Sequence, residues 1–152
     1  MFGFSKPKPF FTVEENLKIV SAIKSCETTT SGEIRVYIEA KNPYVDPLER
    51  AREIFFKLMM EKTEQRNAVI LYIAHKHKEM ALFGDEGIHE KCGQDFWNEE
   101  VSHMIKSFSR DDLVAGIEKC VIEVSAALHL HFPYDAGVDK NELPDEIVFG
   151  RL

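Results

Sequence analysis

Asp85 and Glu86 stand between two glycines in Gly84-Asp85-Glu86-Gly87, directly after an apolar run that reads as a strand. Carboxylates in a turn that glycines permit are hard oxygen ligands, the kind that Ca²⁺ or Mg²⁺ gathers together with carbonyls and water. The regular acid spacing of an EF-hand loop is missing, so residues from elsewhere must complete any such site. The same four residues equally describe a turn followed by a helix whose first turn carries acids to face the helix dipole. Both readings stand at this level. Glu33, beside Gly32 at the start of another strand pattern, is a second source of carboxylate. Asp112 is a third. It follows Ser109 at capping-box spacing, which accounts for it as part of a helix start, and as a ligand it has to reach in from another loop.

The histidines invite zinc chemistry and mostly turn it away. His75-x-His77 sits among lysines in a hairpin turn, and His129-x-His131 ends a helix. Zinc wants a third or fourth ligand converging from Cys, His or acid, and neither pair has one in view. His89, near the acidic loop, can act as a general acid or base there, or simply ride on an exposed helix face. There is no GxSxG, no P-loop and no GxGxxG, so nucleophilic and nucleotide-dependent classes lack their signatures. Cys26, Cys92 and Cys120 are odd in number, widely spaced and without a CxxC, which predicts free thiols. Nothing near Cys92 in the sequence lowers its thiol pKa toward reactivity. Trp97, beside Phe96, reads as a core anchor.

The elements that must position these groups follow from periodicity. Thr12-x-x-Glu15 has capping-box form, and Val13, Leu17, Val20 and Ile23 follow at helical spacing. Ile34, Val36 and Ile38 alternate with polar residues, which predicts a strand with one buried face. Asp46-Pro47-x-Glu49 opens a second helix, with Leu48, Ala51, Phe55, Leu58 and Met59 on its apolar stripe. Ala68 to Ala74 is nearly all apolar, as in a central strand. His75 to Lys78 turns the chain back into Met80, Leu82 and Phe83. A short helix over 88–92 and a longer one from Asp95 follow, the latter with Trp97, Val101, Met104, Ile105 and Phe108 on one face. A last helix carries Leu113, Ile117, Cys120, Val121, Val124 and Leu128.

This order predicts an α/β fold, a three-layer α/β/α sandwich on a small mixed sheet: a strand–helix–strand crossover, then a hairpin. The division is an N-terminal Pro-containing arm (1–11), one α/β/α domain (12–131) and an irregular acidic tail (132–152). The topology brings the end of the third strand to the edge where the first two begin. Gly84-Asp85-Glu86 should therefore lie near Ser31-Gly32-Glu33 and Gln65-Arg66-Asn67.

The chain has 152 residues, 44% of them hydrophobic, enough for one domain with a real core. Its net charge of −7 disfavours nucleic acid and favours cations. No run approaches the roughly 20 apolar residues of a membrane span, and no signal-peptide pattern opens the chain, so a soluble cytoplasmic protein is expected.

Thr30 to Val36, in the order T-x-G-E-I-x-V, resembles the TPM-domain family, as does Phe108-Ser109-Arg110-Asp111-Asp112-Leu113-x-x-Gly116-Ile117. The resemblance runs over about Thr12 to His131. It implies an α/β/α sandwich, divalent-cation binding between loops in some members, an acid-phosphatase activity, and roles in membrane-protein maintenance such as photosystem repair. The family often has a Lys-Asp-Asn-Gly-type loop before the central strand, where this chain has Glu64-Gln65-Arg66-Asn67-Ala68. The tail Asn141 to Glu146 is similar to that of a short cytoplasmic bacterial subgroup. The resulting expectation is a non-enzymatic module that binds Ca²⁺ or Mg²⁺ and a protein partner. The alternatives are a metal-assisted phosphatase and an adaptor that works without an ion.

Overall fold

The computed structural model describes residues 10–44, 46–106, 110–134 and 143–152. Most of the N-terminal arm, Phe108, Ser109 and residues 135–142 of the tail lie outside the described residues, as does the expected Ser109 half of the last capping box. The elements in chain order are α1 (Val13–Glu27), β1 (Glu33–Glu39), α2 (Pro47–Lys57), β2 (Ala68–Ala74), β3 (Glu79–Gly84), α3 (Glu86–Ile105), α4 (Arg110–His131) and β4 (Val148–Phe149). Four strands form one mixed sheet in the order β3-β2-β1-β4. β1 and β2 are parallel, β2 and β3 antiparallel, as the crossover and hairpin predict.

The starts of α1 and α2 are those written in the sequence. Thr12 Oγ1 accepts from the Glu15 N–H and the Thr12 N–H donates to Glu15 Oε1, closing the capping box on α1. Asp46 caps α2 through the Leu48 N–H, with Pro47 in the first turn, where its missing N–H leaves no gap. α3 contains a break at Gly93, whose φ of +78° suits a residue without Cβ, so a short helix and a longer one are joined there.

α1, α3 and α4 supply the larger core on one sheet face, with Trp97, Ile88 and the Ile117–Leu128 stripe against Ile34, Val36, Ile38, Val69 and Leu71. α2 covers the other face with Ala51, Ile54 and Phe55 against Ile70, Tyr72 and Ala81. The result is an α/β sandwich with a four-stranded open sheet.

Two features differ from the periodicity. The buried stripe of α1 runs through Ile19, Ile23 and Cys26, whereas Val13 and Leu17 are 74% and 56% exposed. Leu17 lies two residues before Ile19 and so points about 200° around the helix from it. Val13 and Leu17 instead line an apolar surface groove with Phe10, Phe149 and Leu152. The second difference is in β1, which is buried along its whole length and on both faces. The tail returns to form β4, with Val148 and Phe149 beside Tyr37 and Ile38, making β1 an interior strand. The polar alternates Glu33, Arg35 and Glu39 are buried as well, Glu39 beneath Arg50 of α2.

Burying Glu39 requires a partner, because an uncompensated carboxylate in an apolar layer is very costly. Arg50 of α2 supplies it in fork geometry, with Nε on Oε2 and Nη2 on Oε1, both at 2.8 Å. The Tyr72 hydroxyl donates to the same Oε2 at 2.5 Å. Burial alone would raise the Glu39 pKa, but Arg50 and Tyr72 outweigh it and hold the carboxyl below its ordinary value.

Candidate functional site

The sheet register puts the start of β1, the start of β2 and the end of β3 on one edge, since Glu33 pairs with Ala68 and Gly84 with Val69. The predicted neighbourhood is therefore formed. The Asp85 N–H donates to Ala68 O at 2.9 Å and the Gly87 N–H to Arg66 O at 2.8 Å. Gln65 and Asn67 both donate to Ser31 Oγ at 3.2 Å. Gly87 is required for this closure, because a Cβ there would meet Gln65 O at 2.3 Å and Arg66 O at 2.7 Å.

Asp85 is 2% exposed and carries two tasks. It caps α3, accepting from the Glu86 N–H at 2.8 Å. It also receives Arg66 in fork geometry, Nε on Oδ2 at 2.6 Å and Nη2 on Oδ1 at 2.9 Å. The third nitrogen, Nη1, reaches Glu86 Oε1 at 3.2 Å. One guanidinium thus holds both carboxylates of the Gly-Asp-Glu-Gly turn. Arg66 takes a φ of +52°, a conformation that glycine adopts at no steric cost and that other residues adopt under strain. The Asp85 hydrogen bond is the main reason its pKa is raised.

Glu33 is 4% exposed and lies on the far side of β2 from Asp85, two strand spacings or about 10 Å away at backbone level. Between them sits Asn67, 1% exposed, whose amide donates to Ser31 but whose Oδ1 accepts nothing from any described residue. A buried acceptor without a partner is costly and uncommon. Strand order places Asn67 in this neighbourhood, but only its burial and its orphan oxygen mark it as a candidate ligand. Asp112 stands apart from this edge. Leu128, sixteen residues further along α4, packs against Gly32, so Asp112 lies about 24 Å away at the other end of that helix. No three of Glu33, Asp85, Glu86 and Asp112 bring ligand atoms within 4.8 Å of one another among the described residues.

A groove of about 860 Å³ opens beside Asp85 and Glu86, with Asp46, Glu49 and Glu53 adding carboxylates and Arg52 and Arg66 adding guanidinium groups. Its rim carries Tyr44 and Phe56, 44% and 41% exposed, with the Arg52 guanidinium 5.7 Å from the Phe56 ring centroid. His89 lines the same groove and accepts from Trp97 Nε1 at 3.3 Å, so it is partly enclosed rather than freely exposed. Cys26, Cys92 and Cys120 are free thiols, and burial pushes the pKa of each upward, away from reactivity. Among the described residues no helix is long and apolar enough to cross a membrane.

The sequence model of the TPM domain matches residues 5–127. Among solved structures, the chain is similar to the BA42 protein from the psychrophilic bacterium Bizionia argentinensis, with 34% identity and a TM-score of 0.84 over 95% of this chain and 99% of that one. The N-terminal domain of the cg2496 protein from Corynebacterium glutamicum shares the fold at 13% identity, with a TM-score of 0.60 over 78% of this chain and 74% of that one. A search of curated protein sequences gave no match.

Proposed function

This chain belongs to the TPM-domain family, and from that premise we propose that it is a non-enzymatic binding module, taking Ca²⁺ or Mg²⁺ at the sheet edge and a protein partner in the adjoining groove. The observation that carries the cation is Asn67 Oδ1, a buried oxygen without a donor, flanked by Glu33 on one side and Asp85 on the other. Carboxylates and an amide carbonyl are the oxygen donors these ions take. Arg66 now neutralises Asp85 and Glu86, and its side chain is 36% exposed, so it can swing into the groove as a cation replaces it. The partner reading rests on the groove, where exposed Tyr and Phe beside an arginine are the residue types that anchor interfaces. The excess of acids there favours a partner that presents basic side chains.

Titration with CaCl₂ and MgCl₂, followed by amide chemical shifts, tests the cation. Saturable shifts at Glu33, Asn67 and Gly84–Gly87 are expected, and unmoved amides across that edge sink the idea. For the partner, affinity capture with wild type and with the groove variants Arg52→Glu and Phe56→Ser is the comparison, and a partner kept equally by all three counts against this groove.

The phosphatase alternative has one observation in its favour: Arg52 and Arg66 line the same groove as the carboxylates, so a phosphate and a cation have adjacent places. Hydrolysis of a phosphomonoester that disappears in both Glu33→Gln and Asp85→Asn would select it over the binding module.

A further inference from the structure

Away from the sheet edge, α3 and α4 bring together three groups from different parts of the chain. Glu100 and His103, three residues apart on α3, project from one face of that helix, and Glu123 meets them from α4. Their carboxylate oxygens and imidazole nitrogen lie within 4.8 Å of one another. A cavity of about 40 Å³ sits among them, lined also by Met104, Lys119 and Cys120. That is room for an ion or a water and for nothing larger.

Several observations separate this trio from an ordinary acidic surface. Glu100 Oε2 is shut off from solvent and has no hydrogen-bond partner among the described residues. The Glu100 and Glu123 carboxylate oxygens lie within 4.8 Å of each other, a spacing at which two ionised carboxylates repel unless a cation or a proton lies between them. The nearest basic group, Lys119 Nζ, is 3.9 Å from Glu123 on a side chain that is 74% exposed, so its attraction is largely screened. At the sheet edge the chain supplies an arginine to its paired acids, whereas no arginine lines this cavity.

We propose that Glu100, His103 and Glu123 form a site for a borderline divalent transition-metal ion, Zn²⁺ being the prototype, that clamps α3 to α4. Ca²⁺ and Mg²⁺ take oxygen ligands, while an imidazole nitrogen with two carboxylates suits zinc, with water in the fourth position. Tetrahedral bonds of about 2.0–2.1 Å set ligand atoms roughly 3.3 Å apart, so side-chain rotation alone closes the present spacing. The metal sits between the two carboxylates, gives Glu100 Oε2 its missing partner and displaces Lys119. This site differs in chemistry and position from the calcium or magnesium site at the sheet edge.

The full chain is titrated with ZnCl₂, with CaCl₂ and MgCl₂ as comparators, by calorimetry and by amide and imidazole chemical shifts. One zinc per chain is expected, with shifts on α3 around His103 and on α4 around Glu123, and without competition from calcium. Glu100→Gln and His103→Ala should each weaken zinc binding at least about tenfold, the loss that disturbing even an outer-shell partner of a metal ligand brings. Arg66→Gln should leave it unchanged. His103 is exposed, so its alanine variant keeps the fold and decides the matter even if the Glu100 variant does not. The proposal is overturned by no binding at millimolar zinc, by binding that both variants retain, or by shifts confined to His75 and His77 or to His129 and His131.

Discussion

Two arginines hold buried carboxylates at opposite ends of the sheet, with the same fork geometry and different surroundings. Arg50 grips Glu39 beneath α2, the Tyr72 hydroxyl completes the carboxylate's partners, and the Arg50 side chain is 14% exposed. Arg66 grips Asp85 on a groove wall with a side chain 36% exposed, from a left-handed backbone position, beside the orphan oxygen of Asn67. The first arrangement satisfies its members and faces protein. The second leaves an acceptor unmet and faces water. A salt bridge by itself therefore says little about role. The unmet partner, the strained backbone and the open groove mark the second pair as the one that can exchange its cation.

The sharpest way to break the comparison is at the closed end. Arg50→Ala strands Glu39 in an apolar layer and should cost about 3–5 kcal/mol in denaturant unfolding, the usual loss when one partner of a buried ion pair is removed. A loss under about 1 kcal/mol would mean that Glu39 finds water, and that the two ends do not differ in closure. Next in size is Gly87→Ala at the open end. Its Cβ would press on the Gln65 and Arg66 carbonyl oxygens, which are backbone and cannot rotate away. A loss of about 1–3 kcal/mol is expected, together with weaker calcium-induced shifts at Asp85, since the clash pushes the loop that carries Asn67 away from Asp85. Unchanged stability would show that the open edge is not tightly docked.

How much of this was legible depends on whether a feature is local. The Thr12–Glu15 capping box, the Asp46-Pro47 start and the α4 stripe are short-range patterns, and each appears as its spacing predicts. β4 is two residues long and borrows its pairing from β1, so no alternation could announce it. The convergence of Gly84–Gly87 with Ser31 and Asn67 followed from strand order alone. Strand order placed Arg66 near this edge but could not supply its left-handed backbone or its grip on both carboxylates. The Glu100, His103 and Glu123 trio was hidden for a related reason. Glu100-x-x-His103 is readable as one helix face, but Glu123 joins it only through the packing register of two helices.

A third variant sets the two arginines directly against each other in function. Arg66→Gln removes a unit charge a few ångströms from the proposed cation position while keeping a hydrogen-bonding side chain for Asp85. Calcium should bind about tenfold more tightly, the order of one charge removed in a wet groove. The stability loss should be smaller than for Arg50→Ala. Weaker calcium binding would reverse the assignment, making Arg66 a structural clamp like Arg50.

The smallest effect concerns acids with no arginine between them. Glu27, at the end of α1, faces the acid Asp145 of the tail, and only Lys24 draws its pKa down. Burial first, then Asp145, raise the Glu27 pKa from 4.5 to about 7. A carboxyl whose folded pKa lies above its unfolded one binds the proton more tightly when folded. Its contribution is therefore fully present below about pH 4.5 and is lost as pH rises through about 7. Glu39 has the opposite sign, since its depressed pKa gives stability that is lost only on acidification. Glu27→Gln should flatten the fall in stability across that window and raise stability above it by about 1 kcal/mol, after discounting for solvent screening. Unfolding measured at pH 5 and pH 8 reads the difference. An unchanged slope would place the tail's Asp145 away from Glu27 in solution.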